Sequence, residues 1–505
     1  MRNPQGVPSL CRGNYDSTRR GVTNIRGSEG CRIGFQEEMD VWMGGFKRVT
    51  GVAVAALLLG FAGTTPVLAE TIEAALVRAY QTNPQLNAQR AQVRATDENV
   101  PQALSGYRPK VAVTASAGYQ YTDATVSSGG VNLPGHGVQV PRAVGITATQ
   151  TLYNGQQTAN RTRAAESQVS AAREGLRVLE QSVLLAASTI YMDYLRDAAI
   201  VEVQHSNVRV LEQTLKQTRD RFNVGEVTRT DVAQSEARLA AGKTQERAAE
   251  ATLTTTRSNY RRIIGSEPSA LAPGSPVDRY LPGTLASAVN LGLVENPNVT
   301  AAMFGIDVSH LQVKVAEGAL FPTVSLQVGA QQGYEQQLST PKSFVASAIA
   351  QVSVPLYQGG AEYALIRQSK ETLAQQRLAL EQVRDQTRAT VVQSWGQLQA
   401  AKSQVTSAQA QVQASEIALN GVREEAKAGQ RTTLDVLNAQ QDLVNARVAL
   451  VTAQHDRVVA SYAVLGSVGR LSPQVLKLRT TIYDPSVHYH QVRDSWGGVR
   501  TPDGR

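Results

Sequence analysis

The sequence predicts an α+β chain, mainly helical, built as two copies of one unit, and three observations carry that prediction. First, Leu152-Tyr153-Asn154-Gly155 returns as Leu356-Tyr357-Gln358-Gly359, and Gly225-x-x-Thr228-x-x-Asp231-Val232 returns as Gly429-x-x-Thr432-x-x-Asp435-Val436. Both are displaced by 204 residues, from 152 to 356 and from 225 to 429. A period of that size marks a duplicated domain, whereas solenoid repeats run to about 20–50 residues. Second, two runs of chain lack proline, between Pro141 and Pro268 and between Pro355 and Pro473, so nothing breaks a very long helix in either. Third, each copy carries stretches that alternate apolar and small polar residues with a period of two, the mark of a strand.

Taken in order, residues 1–42 are polar and rich in Arg and Gly, and read as an upstream extension without structure, with Met39 and Met43 as alternative starts. Residues 43–69 read as a signal peptide: Lys47 and Arg48 precede the apolar run from Val49 to Gly63, and Val67-Leu68-Ala69 supplies small residues for cleavage between Ala69 and Glu70. The only cysteines, Cys11 and Cys31, lie upstream of that point, which leaves the mature chain with neither disulfide nor lipid-anchoring cysteine. The formal charge of +8 falls to about +5 without residues 1–48, which hold eight Lys/Arg and five Asp/Glu. That balance, with no basic run, argues against a nucleic-acid partner.

The first copy, 70–267, reads as helix, strand, strand, long helix, turn, helix. Its opening helix runs from Thr71 to about Ser105. Val111, Val113, Ala115, Ala117, Tyr119 and Tyr121 then alternate with Ala112, Thr114, Ser116, Gly118 and Gln120, and Val144 to Leu152 forms the second strand. From Gln156 to Val224 a single helix would span about 100 Å. Leu176, Leu179, Val183, Ala187 and Ile190 mark its apolar stripe, which suits side-by-side packing in a coiled-coil-like wall. A Pro-rich connector, 268–283, leads to the second copy, 284–472, in the same order. Upstream of the strands, Asn83-Pro84 and Arg108-Pro109 return as Asn296-Pro297 and Phe321-Pro322 with a shift of 213, so nine residues differ before Leu152. The Ser127-Ser128-Gly129-Gly130 stretch is the natural place for them. The tail, 473–505, reads as polar and irregular. With only 5% aromatic residues, helix packing through small side chains is expected rather than one large core.

Strands of about ten residues, with one apolar face, one small polar face and tyrosines near their ends, fit either a transmembrane barrel wall or a two-stranded ribbon in a soluble domain. The scarcity of charge on the polar face favours the membrane. After the signal there is no apolar stretch of 18 residues for a membrane helix. Four strands cannot close a barrel, and a bilayer tolerates no open edge, so the barrel would be shared among subunits.

An exported chain with duplicated helix, hairpin and long-helix halves, Leu-Tyr-x-Gly at the strand exit and Gly-x-x-Thr-x-x-Asp-Val at the far turn resembles the TolC family of outer-membrane efflux and type I secretion channels, over roughly residues 70–480. The resemblance implies a homotrimer in which four strands per chain close a twelve-stranded barrel in outer-membrane lipid. Twelve helices continue that barrel as a tunnel through the periplasm. It also implies a periplasmic adaptor (membrane fusion protein) and an inner-membrane transporter of the ABC or proton-driven RND type, with no cofactor. Carried over by position, Asp435 and Asn438 fall at the periplasmic gate and selectivity ring. Arg431 would link to Thr230 and Asp231 on the neighbouring coil, and Val224, Gly225 and Gly429 would face the adaptor. Ala426 and Asn438 depart from the family pattern, where a tyrosine and a second aspartate are expected, which implies a looser, less cation-selective gate.

Capping alone also accounts for both turns. Gly225 and Gly429 suit helix C-termini, and Thr228…Asp231 and Thr432…Asp435 have capping-box spacing. Against the channel stand a trimeric stalk or adhesin anchored by its strands, and a soluble helical adaptor. The joint duplication of hairpin and turn favours the channel. No nucleophile elbow, zinc-protease motif or phosphate loop is present, and His488-x-His490 lacks a third metal ligand nearby in sequence. Neither an enzyme nor a metal site is expected.

Overall fold

The computed structural model describes residues 69–128, 131–337, 340–502 and 504. The upstream extension, the signal peptide as far as Leu68 and the Gly129-Gly130 insertion point lie outside them.

Each copy opens on helices jointed at an Asn-Pro pair. In the first, α1 (Ile72–Thr82) is followed by α2 (Pro84–Asp97) and α3 (Asn99–Leu104), where a single helix is expected from the sequence. Asn83 closes α1 and opens α2, its Oδ1 accepting from the amides of Gln85 (3.0 Å) and Leu86 (3.3 Å). Proline at the first helical position gives up only an amide that has no helical partner, so the chain bends without losing a bond. Past the strands and long helices of the first copy, described next, Asn296 makes the same joint between α6 (Leu285–Glu295) and α7 (Pro297–Gly318).

The strands are β1 (Lys110–Ala117), β2 (Gln120–Ser128), β3 (Val131–Gln139), β4 (Arg142–Asn154), β5 (Thr323–Gln337) and β6 (Thr340–Ser353). A four-stranded antiparallel sheet runs in the order β1-β4-β5-β6, so β4 and β5 join the two copies. Pairs β2 and β3 form a separate ribbon that continues the first hairpin. The hairpin is interrupted at Gly118, whose amide donates to the Pro141 carbonyl (2.9 Å). That ribbon is not evident from periodicity, because Pro134, Gly135 and Gly137 interrupt the alternation.

Register sorts the sheet into two faces. Val111, Val113 and Ala115 stand opposite Ala148, Ile146 and Val144; Ala148 and Ile146 stand opposite Val328 and Ala330, which face Ala348 and Ala346. The other face carries Thr114, Thr147, Thr149, Gln327, Gly329, Gln331, Ser343 and Ser347 at the intervening positions, with Val345 and Ile349 as apolar exceptions. Val113 is 72% exposed and Ile146 49% exposed, so the apolar face has no cover among the described residues. Among the described residues no helix is long and apolar enough to cross a membrane.

Below the sheet run α4 (Gln157–Asn223) and α5 (Arg229–Ile264) in the first copy, and α8 (Ala361–Lys427) and α9 (Thr433–Val468) in the second. The Leu-Tyr-x-Gly motif turns strand into helix: Gly155 and Gln156 have φ of 63° and 62°, Gly359 and Gly360 of 72° and 86°. A Cβ on Gly155 would stand 2.2 Å from the Gly318 carbonyl oxygen, so glycine is required there on both conformational and steric grounds.

The core is larger than composition suggests. Where α1, α4, α5, α9 and the tail converge, Leu76, Leu184, Tyr191, Tyr260, Tyr462 and Leu465 are fully buried or nearly so. The Tyr191 hydroxyl lies within hydrogen-bond distance of the carbonyls of Glu70 (2.8 Å) and Ala272 (2.6 Å), tying the residue that precedes the α1 cap to the connector. The tail also differs from its expected irregular character. Leu476 and Leu478 enter this core, and α10 (Ser486–Val492) lies along α2, with His488 Nδ1 3.0 Å from Asp97 Oδ2. Arg108, two residues before β1, donates to the Ser495 carbonyl (2.5 Å) and stacks over Trp496. Hydrophobic residues spaced too irregularly to show periodicity anchor this strap.

Candidate functional site: the helical tips

At the end away from the sheet, each coil reverses through the duplicated turn. Gly225 and Gly429 both have φ of 80°, a conformation that disfavours any Cβ. Around them the last turns close with Glu226 and Gln430 amides donating to the Arg221 and Glu425 carbonyls, both at 2.9 Å. Both Thr-x-x-Asp segments form complete capping boxes. Asp231 Oδ2 accepts from the Thr228 amide (2.9 Å) and hydroxyl (2.7 Å), and Asp435 Oδ2 from the Thr432 amide (3.0 Å) and hydroxyl (2.9 Å). The bonds from the Thr228 hydroxyl and amide hold the Asp231 carboxyl below its ordinary range. The Thr432 amide and hydroxyl do the same for Asp435, helped by the charge of Arg431. Two fixed anions therefore stand at the ends of the coils.

Arg431 Nε donates to Glu425 Oε2 at 2.9 Å, across the turn of its own coil. Among the described residues no hydrogen bond or ion pair joins it to Thr230 or Asp231, the partners named from sequence. Glu425 is nearer along the chain, and the capping box already engages the oxygen Oδ2 of Asp231. Thr230 is exposed on the first turn of α5, and Val224 is 70% exposed at the tip. Asn438 is not an open position: Arg238 Nη2, on α5, donates to its Oδ1 at 2.8 Å. Sequence reasoning passed over Arg238 because its equivalent at the 204-residue shift is Asp442, so the duplication gave no signal. His488, half of the tail's His pair, is taken up by Asp97.

An uncovered apolar sheet face, an opposite polar face and paired coils of such length together define a membrane channel extended by a helical tunnel. The chain matches the outer membrane efflux protein family over residues 75–266 and 288–470. It is 41% identical to the outer membrane efflux protein BepC of Brucella suis over 468 residues, covering 91% of this chain and 99% of that one. Against the outer membrane protein TolC of Vibrio cholerae the identity is 26%, over 81% and 93% of the two chains. The crystal structure of the Campylobacter jejuni CmeC outer membrane channel superposes with a TM-score of 0.70 at 14% identity, covering 84% of this chain and 89% of that one. The chain belongs to the outer membrane efflux protein family. It is an outer-membrane export channel whose strands supply one subunit's share of a β-barrel and whose helices extend into the periplasm.

Proposed function

We propose that the channel is gated at its helical tips, with Asp435 as the charged ring, and that it works with a periplasmic adaptor and an inner-membrane transporter of the ABC or RND type. The observation that carries this reading is the pair of tip carboxylates held in place by the capping boxes, Asp231 by Thr228 and Asp435 by Thr432. Around a three-fold axis each position is present in triplicate, and a ring of carboxylates is the device cation pores use. In this reading Arg431 of one subunit exchanges Glu425 for Thr230 and Asp231 of the adjacent coil when the tips come together, a charge-assisted link of the same kind. Asn438 stands above the Asp435 ring. Val224, Gly225 and Gly429 form the blunt end that meets the adaptor, and the exposure of Val224 provides apolar surface for it. Export begins with removal of residues 43–69. Glu70, whose amide donates to the Ala270 carbonyl at 2.8 Å, then opens the first repeat.

Single-channel conductance in a planar bilayer tests the gate. Discrete steps with a cation-favouring reversal potential, reduced by Asp435→Asn, are expected. Unchanged selectivity in that variant overturns the ring.

A further inference from the structure

Beyond α10 the tail reaches the end of the sheet from which the helices depart, and there it presents a tryptophan to the surroundings. Arg108 donates to the Ser495 carbonyl and its guanidinium lies 4.6 Å from the centre of the Trp496 ring, yet Trp496 is 75% exposed. Arg108 comes three residues before Val111, which opens the apolar row of β1, so at most about 10 Å of extended chain separates them. The 3-10 turn Ser105–Tyr107 stands on the same side of the sheet. Gln150 continues the row of Val144, Ile146 and Ala148, and its Nε2 donates to the Tyr107 carbonyl at 2.8 Å. A Cβ on Gly106 would stand 2.8 Å from Thr158 Cγ2, which sets this turn against the first turn of α4, at the periplasmic rim of the barrel wall. Past Trp496, Val499 is fully exposed. Arg500 is exposed and makes no hydrogen bond or ion pair among the described residues. Arg493, by contrast, meets Glu166 at 3.4 Å.

We propose that residues 493–500 form an interfacial anchor that seats Trp496 among the headgroups of the periplasm-facing leaflet, where Arg108 and Arg500 bind the phosphate of an anionic glycerophospholipid. The site continues the lipid-facing side of the sheet. Headgroups occupy about 5–8 Å on each side of the hydrocarbon core, the depth at which a side chain held just beyond Val111 stands. An indole suits that depth, because its ring is apolar and its N–H needs a polar partner. One face of the Trp496 ring is taken by Arg108, and the rest is open. The Arg108 guanidinium spends one nitrogen on Ser495 and keeps donors for a phosphate, whose geometry a guanidinium matches with paired bonds. Arg500 adds a free cation beside an exposed valine, the pairing of charge and apolar surface that binds an anionic membrane. The tail thereby holds the joint between barrel and helices at a set height in the bilayer.

The test follows the fluorescence of Trp496 in the full-length trimer, made the only indole by Trp42→Phe and Trp395→Phe and reconstituted into vesicles of phosphatidylcholine and phosphatidylglycerol. Lipids brominated near the headgroup end of the acyl chain should quench it more than lipids brominated near the chain middle. Brominated phosphatidylglycerol should quench more than brominated phosphatidylcholine at the same fraction. Arg500→Gln is expected to lower that preference about fivefold, the weight of one cation at an anionic surface, and Arg500→Lys to retain it. Soluble glycerol phosphate should leave it unchanged. Trp496 that is quenched by aqueous acrylamide and by no brominated lipid overturns the anchor, since the strap then lies in water. Trp496 that neither quencher reaches also overturns it, since the neighbouring subunit then covers the ring. Equal quenching by the two headgroups, or an undiminished preference in Arg500→Gln, overturns the anionic site. Loss of the preference to soluble glycerol phosphate overturns it too, in favour of a free-phosphate site.

Discussion

The two copies are alike in backbone and unlike in charge. Their long helices have the same lengths, 67 and 36 residues in each. Their turn glycines share a φ of 80° and their capping threonines a φ of −85°. Around this common frame the ion pairs are reversed. In the first copy the cation, Arg221, precedes the glycine and Glu226 follows it; in the second Glu425 precedes it and Arg431 follows. The reversal puts Arg431 beside Asp435 at the start of α9. The copies diverge at their other ends too, since only the first hairpin is extended by β2 and β3, and the tail helix α10 packs on α2 of the first copy. Caps and glycines fix a turn through bonds spanning three to five residues. Side chains outside those bonds are free to diverge, and there the two tips acquire different chemistry.

Four changes break or sharpen this comparison, from the largest effect down. On the apolar sheet face the copies should be equivalent: Ile146→Arg and Val328→Arg are each expected to destabilise the membrane-inserted oligomer by about 2–4 kcal/mol. Thr147→Arg, on the polar face, should assemble normally and alter conductance. Heat-resistance of the oligomer on gels separates these outcomes, and tolerance of both outer-face arginines would sink the assignment of that face to lipid. Next, His488→Ala leaves Asp97, 0% exposed, without its partner and should cost about 1–3 kcal/mol. The effect would be read as faster proteolysis of the tail, with no counterpart in the second copy.

Third, Thr228→Ala and Thr432→Ala should each remove about 1 kcal/mol of local helix stability. Hydrogen exchange at the starts of α5 and α9 would measure it, and unequal losses would show that the caps do not act alike. The smallest effect concerns acidity. Asp231 and Asp435 both have folded-state pKa values below the unfolded value of about 3.9. Their stabilising contribution is therefore fully present above that value and is lost as pH falls through the folded one. Between pH 7 and 5 cation selectivity should stay constant; a change in that window, read from reversal potentials, would assign the selectivity to another group.

How much was legible can be judged element by element. The helix expected from Gln156 to Val224 is found from Gln157 to Asn223, because a proline-free amphipathic run leaves the backbone few alternatives. The capping boxes and left-handed glycines followed the motif, because their partners lie within the same few residues. The alternating strands were visible for the same reason, and the duplication doubled each signal. Less accessible were the Asn-Pro joints, which keep a helical pattern on both sides, and the β2–β3 ribbon, whose glycines and proline hide it.

What the sequence by itself determined is every feature whose physical cause is local: helix length, strand period, turn geometry, caps and the repeat that multiplies them. Only the tertiary structure decided that Asn438 meets Arg238 and that Gln440 meets Asn207. It likewise decided that the tail straps the first copy. Each of these contacts joins residues some 200 to 400 positions apart, and its existence depends on how the coils pack, which no neighbouring residue encodes.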